Sequence, residues 1–399
     1  SSRALKVCSM IFLLQKNDKV SIQQKMTKIK KTLQCKMNIM QTETKRTSFL
    51  MRRESITTAG KMKLGMGLYR DMLDREHFRF ARQCGCTHAI VHLVNYYTGS
   101  DCNIVTATDA NHNYGVPSRD DPIWTAEGIR DLQALARSEG IEIYGVENFN
   151  PIDWYDILLD GPKRDEQIDI VRSVIGNVGR AGIKAMGYNF SLAGVWGHQK
   201  RRAGRGGAIS TCFDSKLIDV YSPIPNGLVW NMECFEGDGS FLPPVTEEQL
   251  WDRLKRFLDD VLPAAEAAGV ELALHPDDPP MKNLRGQPRL VYQPSLYQKV
   301  IDLNPSLANK LEFCVGSVQE MTEGSLTEAI EQYGSQKRIS YIHFRNVRGK
   351  IPCYDEVFLD EGDIDMLGAL RQLQRLEFDG VLIPDHTPLI DGKAPWETG

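Results

Sequence analysis

From residue 63 onward, short apolar runs alternate with longer segments in which apolar residues recur at helical spacing. This alternation is typical of parallel βα units, in which each strand is followed by a helix. The runs predict eight strands, at 63–68, 88–93, 142–146, 184–190, 271–275, 310–314, 340–344 and 380–384. The segments between them predict seven helices, at 75–84, 125–139, 165–181, 247–268, 295–301, 325–333 and 363–376.

Several predicted helices end at a glycine just before the next strand, namely at Gly85, Gly140, Gly182, Gly269 and Gly380. Glycine readily adopts the left-handed conformation that commonly ends a helix. Eight strands joined by helices and short turns favour an α/β fold of the (β/α)8 type, the TIM barrel. A doubly wound sheet is the alternative, but no predicted strand is followed by the GxGxxG pattern of a dinucleotide-binding turn.

The connections that follow strands are longer than those that precede them. The loop after the second strand covers 95–124, and the loop after the fourth covers 191–246 and contains a run of arginine and glycine. In TIM barrels the active site is built from the loops after the strands. Long insertions there predict a covered pocket.

Residues 1–61 differ from the rest of the chain in composition. They are rich in Lys, Thr, Ser, Gln and Met, poor in acids, and without a sustained apolar period. We expect a disordered extension, with a transit peptide or a nucleic-acid-binding arm as alternatives. The catalytic barrel domain is predicted at 62–399.

Charge and cysteine content narrow the class of partner. A net charge of −4 argues against nucleic acid, because a phosphate-binding surface carries an excess of basic residues. No apolar run reaches the roughly 18 residues that a membrane span requires. The nine cysteines are scattered and lack the paired spacing of a zinc ribbon, which indicates reduced thiols. We therefore expect a cytoplasmic protein with a small polar substrate, and neither nucleic-acid nor membrane partners.

Four consecutive predicted strands end in a residue that binds metals well. These residues are His275, Cys314, His343 and Asp385. Taken singly, a strand histidine is more often a hydrogen-bonded core residue, and a lone cysteine is usually a small buried apolar residue. However, the carboxyl ends of neighbouring barrel strands converge on one mouth, so four such side chains can meet around one ion. Nitrogen, sulfur and oxygen donors suit a divalent Mn, Fe, Co or Zn with a position left for substrate.

Other polar residues are predicted at the same mouth. Adjacent residues of an extended segment point to opposite sides, so we expect His386 to act as an acid/base group beside the metal rather than as a further ligand. Arg345 and Asn346 are predicted to hold a substrate carboxylate, the alternative being a salt bridge within the loop. Further candidate substrate ligands after the fourth strand are Asn189, Trp196, His198 and Arg205, with a solvated loop as the alternative for the arginine.

The same segments carry recognisable motifs. They are HPDDPP at 275–280, EFCVGS at 312–317, YIHFRNV at 341–347, PDH at 384–386 and the arginine/glycine stretch RAGRGGA at 202–208. At these motifs the sequence resembles the mannonate dehydratase family, which has a xylose-isomerase-like TIM barrel. HPDDPP together with HFRN is a specific combination.

The resemblance implies removal of water from D-mannonate to give 2-keto-3-deoxy-D-gluconate, a step of hexuronate (glucuronate) catabolism, with Mn2+ or Fe2+ as the divalent metal. Within it, His275, Cys314, His343 and Asp385 match the metal ligands, and His386 matches an acid/base residue. The partner it implies is a small sugar acid. A homodimer is compatible with the sequence, which leaves the number of subunits open.

The family continues past its eighth strand into a last outer helix that carries a tyrosine, whereas no tyrosine follows Asp385 here. We therefore expect the barrel to lack its last outer helix.

Two other functions stay open. One is a metal-dependent sugar isomerase or epimerase of the same barrel superfamily, although these usually gather several acidic ligands, of which Glu147 is the clear extra one here. The other is a truncated, inactive homologue that binds sugar acids.

Overall fold

The structure, a computed structural model, describes residues 62–98 and 115–390. Its centre is a closed barrel of eight parallel strands, each paired with the next one along the chain, with the last paired to the first. The strands are β1 Lys63–Leu68, β2 His88–Val91, β3 Glu142–Glu147, β4 Ala185–Tyr188, β5 Glu271–Leu274, β6 Asn309–Cys314, β7 Ile339–His343 and β8 Val381–Ile383. The predicted TIM barrel and its eight strands are confirmed.

The seven predicted helices are also present and surround the barrel. They are Arg75–Gln83, Ala126–Ser138, Arg164–Arg180, Glu247–Ala268, Leu296–Leu303, Leu326–Ser335 and Met366–Arg375. The sequence did not predict two short α-helices, Tyr155–Leu159 and Val315–Glu320. Short 3-10 helices lie at Arg70–Met72, Pro122–Trp124, Pro151–Asp153 and Arg205–Gly207.

Local signals explain the bounds of the longest helix, Glu247–Ala268. The Thr246 side chain accepts a hydrogen bond from the Gln249 backbone, and the Gln249 side chain accepts one from Thr246, which together form a capping box. The helix ends at Gly269, whose φ of 67° is unfavourable for residues with a Cβ atom. Its apolar residues recur every three or four positions, so that one face packs on the barrel.

Strand alternation divides the apolar residues into two layers. The residues facing outward from the strands join the helices in one large core. Those facing inward form a separate cluster that fills the barrel, made up of Ile90, Tyr144, Ala185, Ala273, Tyr341, Val381 and Ile383. Because this cluster packs the barrel interior, it leaves room for a ligand only beyond the strand ends.

Two long loops combine into a feature that the sequence did not predict. A four-stranded antiparallel sheet, here called the outer sheet, joins part of the loop after β4 to the loop after β7. In spatial order its strands are Asn346–Lys350, Cys353–Val357, Ala208–Asp214 and Gln199–Gly204. Two small hairpins complete the strands, Leu228–Val229 with Met232–Glu233 and Asn283–Leu284 with Gln287–Pro288.

The predicted extension at 1–61 and the predicted absence of a last outer helix after β8 fall on residues outside those described. Within 62–98 and 115–390, no helix combines the length and apolar character needed to cross a membrane.

Candidate metal centre and active site

A cavity lies at the carboxyl-terminal ends of the barrel strands, beneath the outer sheet. It contains about 930 Å³ of empty space, part of which is continuous with solvent. Seven residues named in the sequence analysis line it, namely Glu147, Asn189, His198, His275, His343, Asp385 and His386.

Three of the four predicted metal ligands form one compact group. His275, Cys314 and His343 each offer one ligand atom, and these atoms lie within 4.8 Å of one another. The two imidazole rings are 5.1 Å apart between centroids. Cys314 ends β6 and begins the next short helix, where its sulfur accepts a hydrogen bond from the Ser317 backbone at 3.3 Å. Two nitrogens and one sulfur suit a borderline divalent metal.

Neighbouring groups orient both imidazole rings so that one nitrogen of each faces the group. His275 Nδ1 lies 2.7 Å from the Pro276 carbonyl oxygen, which leaves Nε2 as the ligand atom. His343 Nε2 lies 2.9 Å from Glu312 Oε1 and 3.2 Å from Glu147 Oε2. Its Nδ1 is buried and faces Asp385 Oδ2 and the Cys314 thiol. A buried imidazole nitrogen that faces a carboxylate, a thiol and a second imidazole fits a metal ligand.

The fourth predicted ligand borders this group. Asp385 Oδ2 lies 3.3 Å from His343 Nδ1 and accepts a hydrogen bond from Arg345 Nε at 3.0 Å. The backbone turns sharply here, because Asp385 has a φ of 54°. The expectation that Asp385 and His386 point to opposite sides of an extended segment is therefore corrected, since both line the cavity.

The environment sets the ionisation of the three grouped residues. Burial opposes ionisation of the Cys314 thiol, but the charge of Arg345 and hydrogen bonds from His275 and His343 outweigh burial and lower its pKa to about 5. Burial likewise opposes protonation of His275, but the hydrogen bond to Cys314 and the charge of Glu312 raise its pKa to about 9. The pKa of His343 is raised well above its usual value, because the charges of Asp385 and Glu147 outweigh burial.

These pKa values predict that metal affinity rises with pH. His275, with a pKa of about 9, and His343 must each lose a proton to bind a metal, whereas Cys314 is already a thiolate above about pH 5. Each displaced proton adds about one log unit of affinity per pH unit. We expect a slope of about one to two between pH 6 and pH 8 in chelator-competition titrations with Mn2+ or Zn2+, and a slope smaller by about one above pH 9, where His275 has lost its proton.

The matched variant for this titration is His275→Ala, which should lower the slope by about one because one proton fewer is displaced. Calorimetry in two buffers of different ionisation heat would count the released protons directly. An affinity that stays constant between pH 6 and pH 8 would contradict the protonation pattern.

His386 lies at the edge of the cavity, with its side chain 35% exposed and therefore open to a ligand. Its Nδ1 lies 2.9 Å from Glu356 Oε2, and its Nε2 lies 3.5 Å from Asp385 Oδ1. Burial alone would lower the pKa of His386, but the charges of Asp385 and Glu356 and the Glu356 hydrogen bond raise it. The ring is thus held by one nitrogen and presents the other toward the cavity.

The structure places Arg345 in a buried network of ion pairs. Its guanidinium is buried and is not among the groups that line the cavity. The guanidinium donates hydrogen bonds to Glu320 Oε1 at 2.6 Å, to Asp385 Oδ2 at 3.0 Å and to Asp278 Oδ2. It also donates to Ser317 Oγ at 3.0 Å and lies 3.3 Å from Glu356 Oε1. A guanidinium so occupied positions Asp385 and lowers the pKa of Cys314.

Three more predicted substrate ligands lie away from the cavity lining. Asn346 is buried, and its amide group bonds the backbone of Leu359 and Ile364, so it holds the loop after β7. Trp196 packs under the Arg285 guanidinium at 4.7 Å. Arg205 is exposed and pairs with Asp360 at 2.9 Å. The structure therefore shows these three residues in contacts with other parts of the protein and not at the cavity lining.

Three residues at the site were missed in the sequence analysis, namely Glu312, Glu356 and Tyr354. Glu312 lies two positions before Cys314 on β6, so strand alternation already placed both on one face, and that signal was overlooked. Glu356 and Tyr354 come from the outer sheet, whose contact with the barrel mouth has no sequence signal. Tyr354 donates to Asp278 Oδ1 at 2.8 Å, and His198 Nε2 lies 3.0 Å from the same oxygen.

Comparison with known proteins finds similar proteins that are named mannonate dehydratases. The mannonate dehydratase of Streptococcus equi subsp. zooepidemicus (strain MGCS10565) is 31% identical over 277 residues, or 66% of this chain and 74% of that protein. The mannonate dehydratase of Oceanobacillus iheyensis is 29% identical over 295 residues, or 70% of this chain and 82% of that protein.

A solved structure and a family model agree with these relatives. The crystal structure of mannonate dehydratase from Streptococcus suis serotype2 superposes with a TM-score of 0.66 and 25% identity, covering 84% of this chain and 87% of that chain. Residues 103–398 match the family model described as D-mannonate dehydratase (UxuA). Since that match spans well over half of the sequence, the chain belongs to the D-mannonate dehydratase family of hydro-lyases.

Proposed function

We propose that this protein is a metal-dependent dehydratase that converts D-mannonate to 2-keto-3-deoxy-D-gluconate and water. The observation that carries the proposal is the group His275, Cys314 and His343 at the cavity, with Asp385 beside it and His386 at the cavity edge. This arrangement combines a candidate metal site with an acid/base group, in a family whose relatives are mannonate dehydratases.

His275, Cys314, His343 and Asp385 would hold the metal, for which we propose Mn2+ or Fe2+. A divalent ion bound there would act as a Lewis acid toward the negative charge that develops when the weakly acidic hydrogen on C2 is removed. The carboxylates of Glu147 and Glu312 face His343 Nε2 and hold the ring, so that Nδ1 would be the atom available to the metal.

His386 is the proposed acid/base residue. Glu356 holds Nδ1, so the proton exchanged with substrate is carried at Nε2. The ring either takes the proton from C2 or donates one to the departing C3 hydroxyl group. Its place at the edge of the cavity gives it access to both the substrate and solvent.

Two further groups orient the substrate in this proposal. Asn189 donates to the Pro276 carbonyl at 3.2 Å, while its buried Oδ1 has no partner in the described part of the chain and is suited to accept a substrate hydroxyl. His198 is fixed at Nε2 by Asp278 and Tyr354 and borders the cavity from the outer-sheet side. On another side of the cavity, the stacked rings of Tyr69 and His92 form a wall that limits water.

The proposal is tested by incubating the purified protein with D-mannonate before and after chelator treatment. We expect 2-keto-3-deoxy-D-gluconate from the metal-loaded protein, no product after chelation, and recovery with Mn2+ or Fe2+. A product of unchanged mass would instead identify a sugar isomerase or epimerase. Binding of D-mannonate without turnover in every metal form would identify an inactive sugar-acid-binding homologue.

We extend the proposal to hexuronate (glucuronate) catabolism in the cytoplasm. The support for a reducing compartment is that four of the described cysteines, Cys212, Cys234, Cys314 and Cys353, are free thiols. The proposed substrate, D-mannonate, is a sugar acid, and this supports a place in hexuronate catabolism.

A further inference from the structure

We infer that Lys200, together with Thr211, binds the carboxylate group of the substrate from the outer-sheet side of the cavity. The inference rests on the proposed function, because it concerns a sugar acid in this cavity. Neither residue was singled out from the sequence, and both line the cavity.

The register of the outer sheet directs these two side chains at the cavity. Lys200 pairs directly with Thr211 across neighbouring antiparallel strands, and Lys200 Nζ donates to Thr211 Oγ1 at 2.8 Å. Side chains alternate between the faces of a sheet. Accordingly the next residue, Arg201, leaves the cavity and bonds Asp355 on the opposite face.

The charge balance of the cavity leaves Lys200 without a counter-charge. It is the sole lysine or arginine lining the cavity, and it has no carboxylate partner within the described part of the chain. The acids of the lining are matched, since Glu147 and Asp385 face His343, and Asp278 bonds Arg345 and His198. The substrate is therefore the group that would supply a negative charge to Lys200.

The hydrogen-bonding capacity of the ammonium supports the same conclusion. An ammonium has three donors, and Thr211 takes one of them. Lys200 is half-buried, so part of its hydration is already lost. A carboxylate oxygen from the ligand replaces that hydration with a charge-assisted hydrogen bond, which is stronger than a neutral one.

The test compares Lys200→Met with Arg202→Met. The control removes the same charge from the same strand at an exposed residue that does not line the cavity. We expect Lys200→Met to raise the KM for D-mannonate by about 10- to 100-fold, with kcat changed by less than about fivefold. Lys200→Arg should recover part of the loss, Thr211→Val should raise KM by a smaller factor, and Arg202→Met should behave as the parent.

Equilibrium binding separates this inference from the proposed function. D-Mannitol has the same carbon chain without a carboxylate, so Lys200→Met should weaken D-mannonate binding and leave D-mannitol binding unchanged. If the parent dehydrates D-mannonate but Lys200→Met keeps its KM, the inference is overturned and the function stands. If the parent shows no turnover, the function fails, and the two binding measurements still decide the role of Lys200. Equal weakening of both ligands would also overturn the inference.

Discussion

Replacement of His386 by asparagine is expected to lower kcat for D-mannonate dehydration by about 10²- to 10⁴-fold, the range that general acid–base catalysis contributes. Asparagine preserves a hydrogen bond to Glu356, which holds His386 Nδ1 at 2.9 Å, but it cannot take up or release a proton near neutral pH. Because His386 does not belong to the group formed by His275, Cys314 and His343, the variant should keep its metal.

The measurement combines steady-state kinetics, elemental analysis and thermal unfolding of the same preparations. His77→Asn is the matched control, since His77 is half-buried on the helix Arg75–Gln83 and lies outside the cavity lining. We expect the control to equal the parent in all three measurements. Loss of metal from His386→Asn to the same extent as from Cys314→Ala would mean that His386 is a ligand, and the acid/base assignment would fail.

Replacement of Arg345 by methionine is expected to reduce the free energy of unfolding by about 3–5 kcal/mol, the cost of removing one partner of a buried charge pair. The guanidinium is 1% exposed and contacts the carboxylates of Asp278, Glu320, Glu356 and Asp385. Methionine fills a similar volume but leaves these carboxylates buried without their cation. Arg345→Lys should recover only part of the loss, because an ammonium lacks the planar fork of five donors.

Urea unfolding followed by tryptophan fluorescence measures this effect. Arg348→Met is the matched control, because Arg348 is exposed and its side chain bonds one backbone carbonyl, that of Glu361. We expect the control to change the free energy of unfolding by less than about 0.5 kcal/mol. A change below 1 kcal/mol for Arg345→Met would show that the buried carboxylates do not depend on this guanidinium.

Most of the barrel was predictable because its signals are local. Each strand is a short apolar run, and each helix has a 3.6-residue period and a terminal cap, so neighbouring residues carry the information. For the helix Glu247–Ala268 the predicted bounds equal the observed ones, since Thr246 and Gly269 cap it at both ends. The short helix Val315–Glu320 was missed because six residues carry too little periodicity to be recognised.

The outer sheet was not predictable in the same way. Its strand Gln199–Gly204 reads QKRRAG and has no apolar run, because the strand is held by cross-strand hydrogen bonds and faces the cavity on one side. A polar strand inserted in a loop resembles a solvated loop in sequence. The contribution of Lys200 to the cavity lining could therefore not be anticipated, nor could the bonds by which Tyr354 and Glu356 hold Asp278 and His386.

The sequence by itself determined the barrel and the strand ends at which His275, Cys314, His343 and Asp385 lie, since a strand order that follows the chain brings consecutive strand ends to one mouth. Only the tertiary structure decided which charges meet. Arg345 bonds Glu320 and Asp278, which lie 25 and 67 residues away along the chain. Ion pairing depends on distance in space, and no periodic pattern encodes it, so the buried ion pairs of Arg345 beside the candidate metal centre became evident only in the structure.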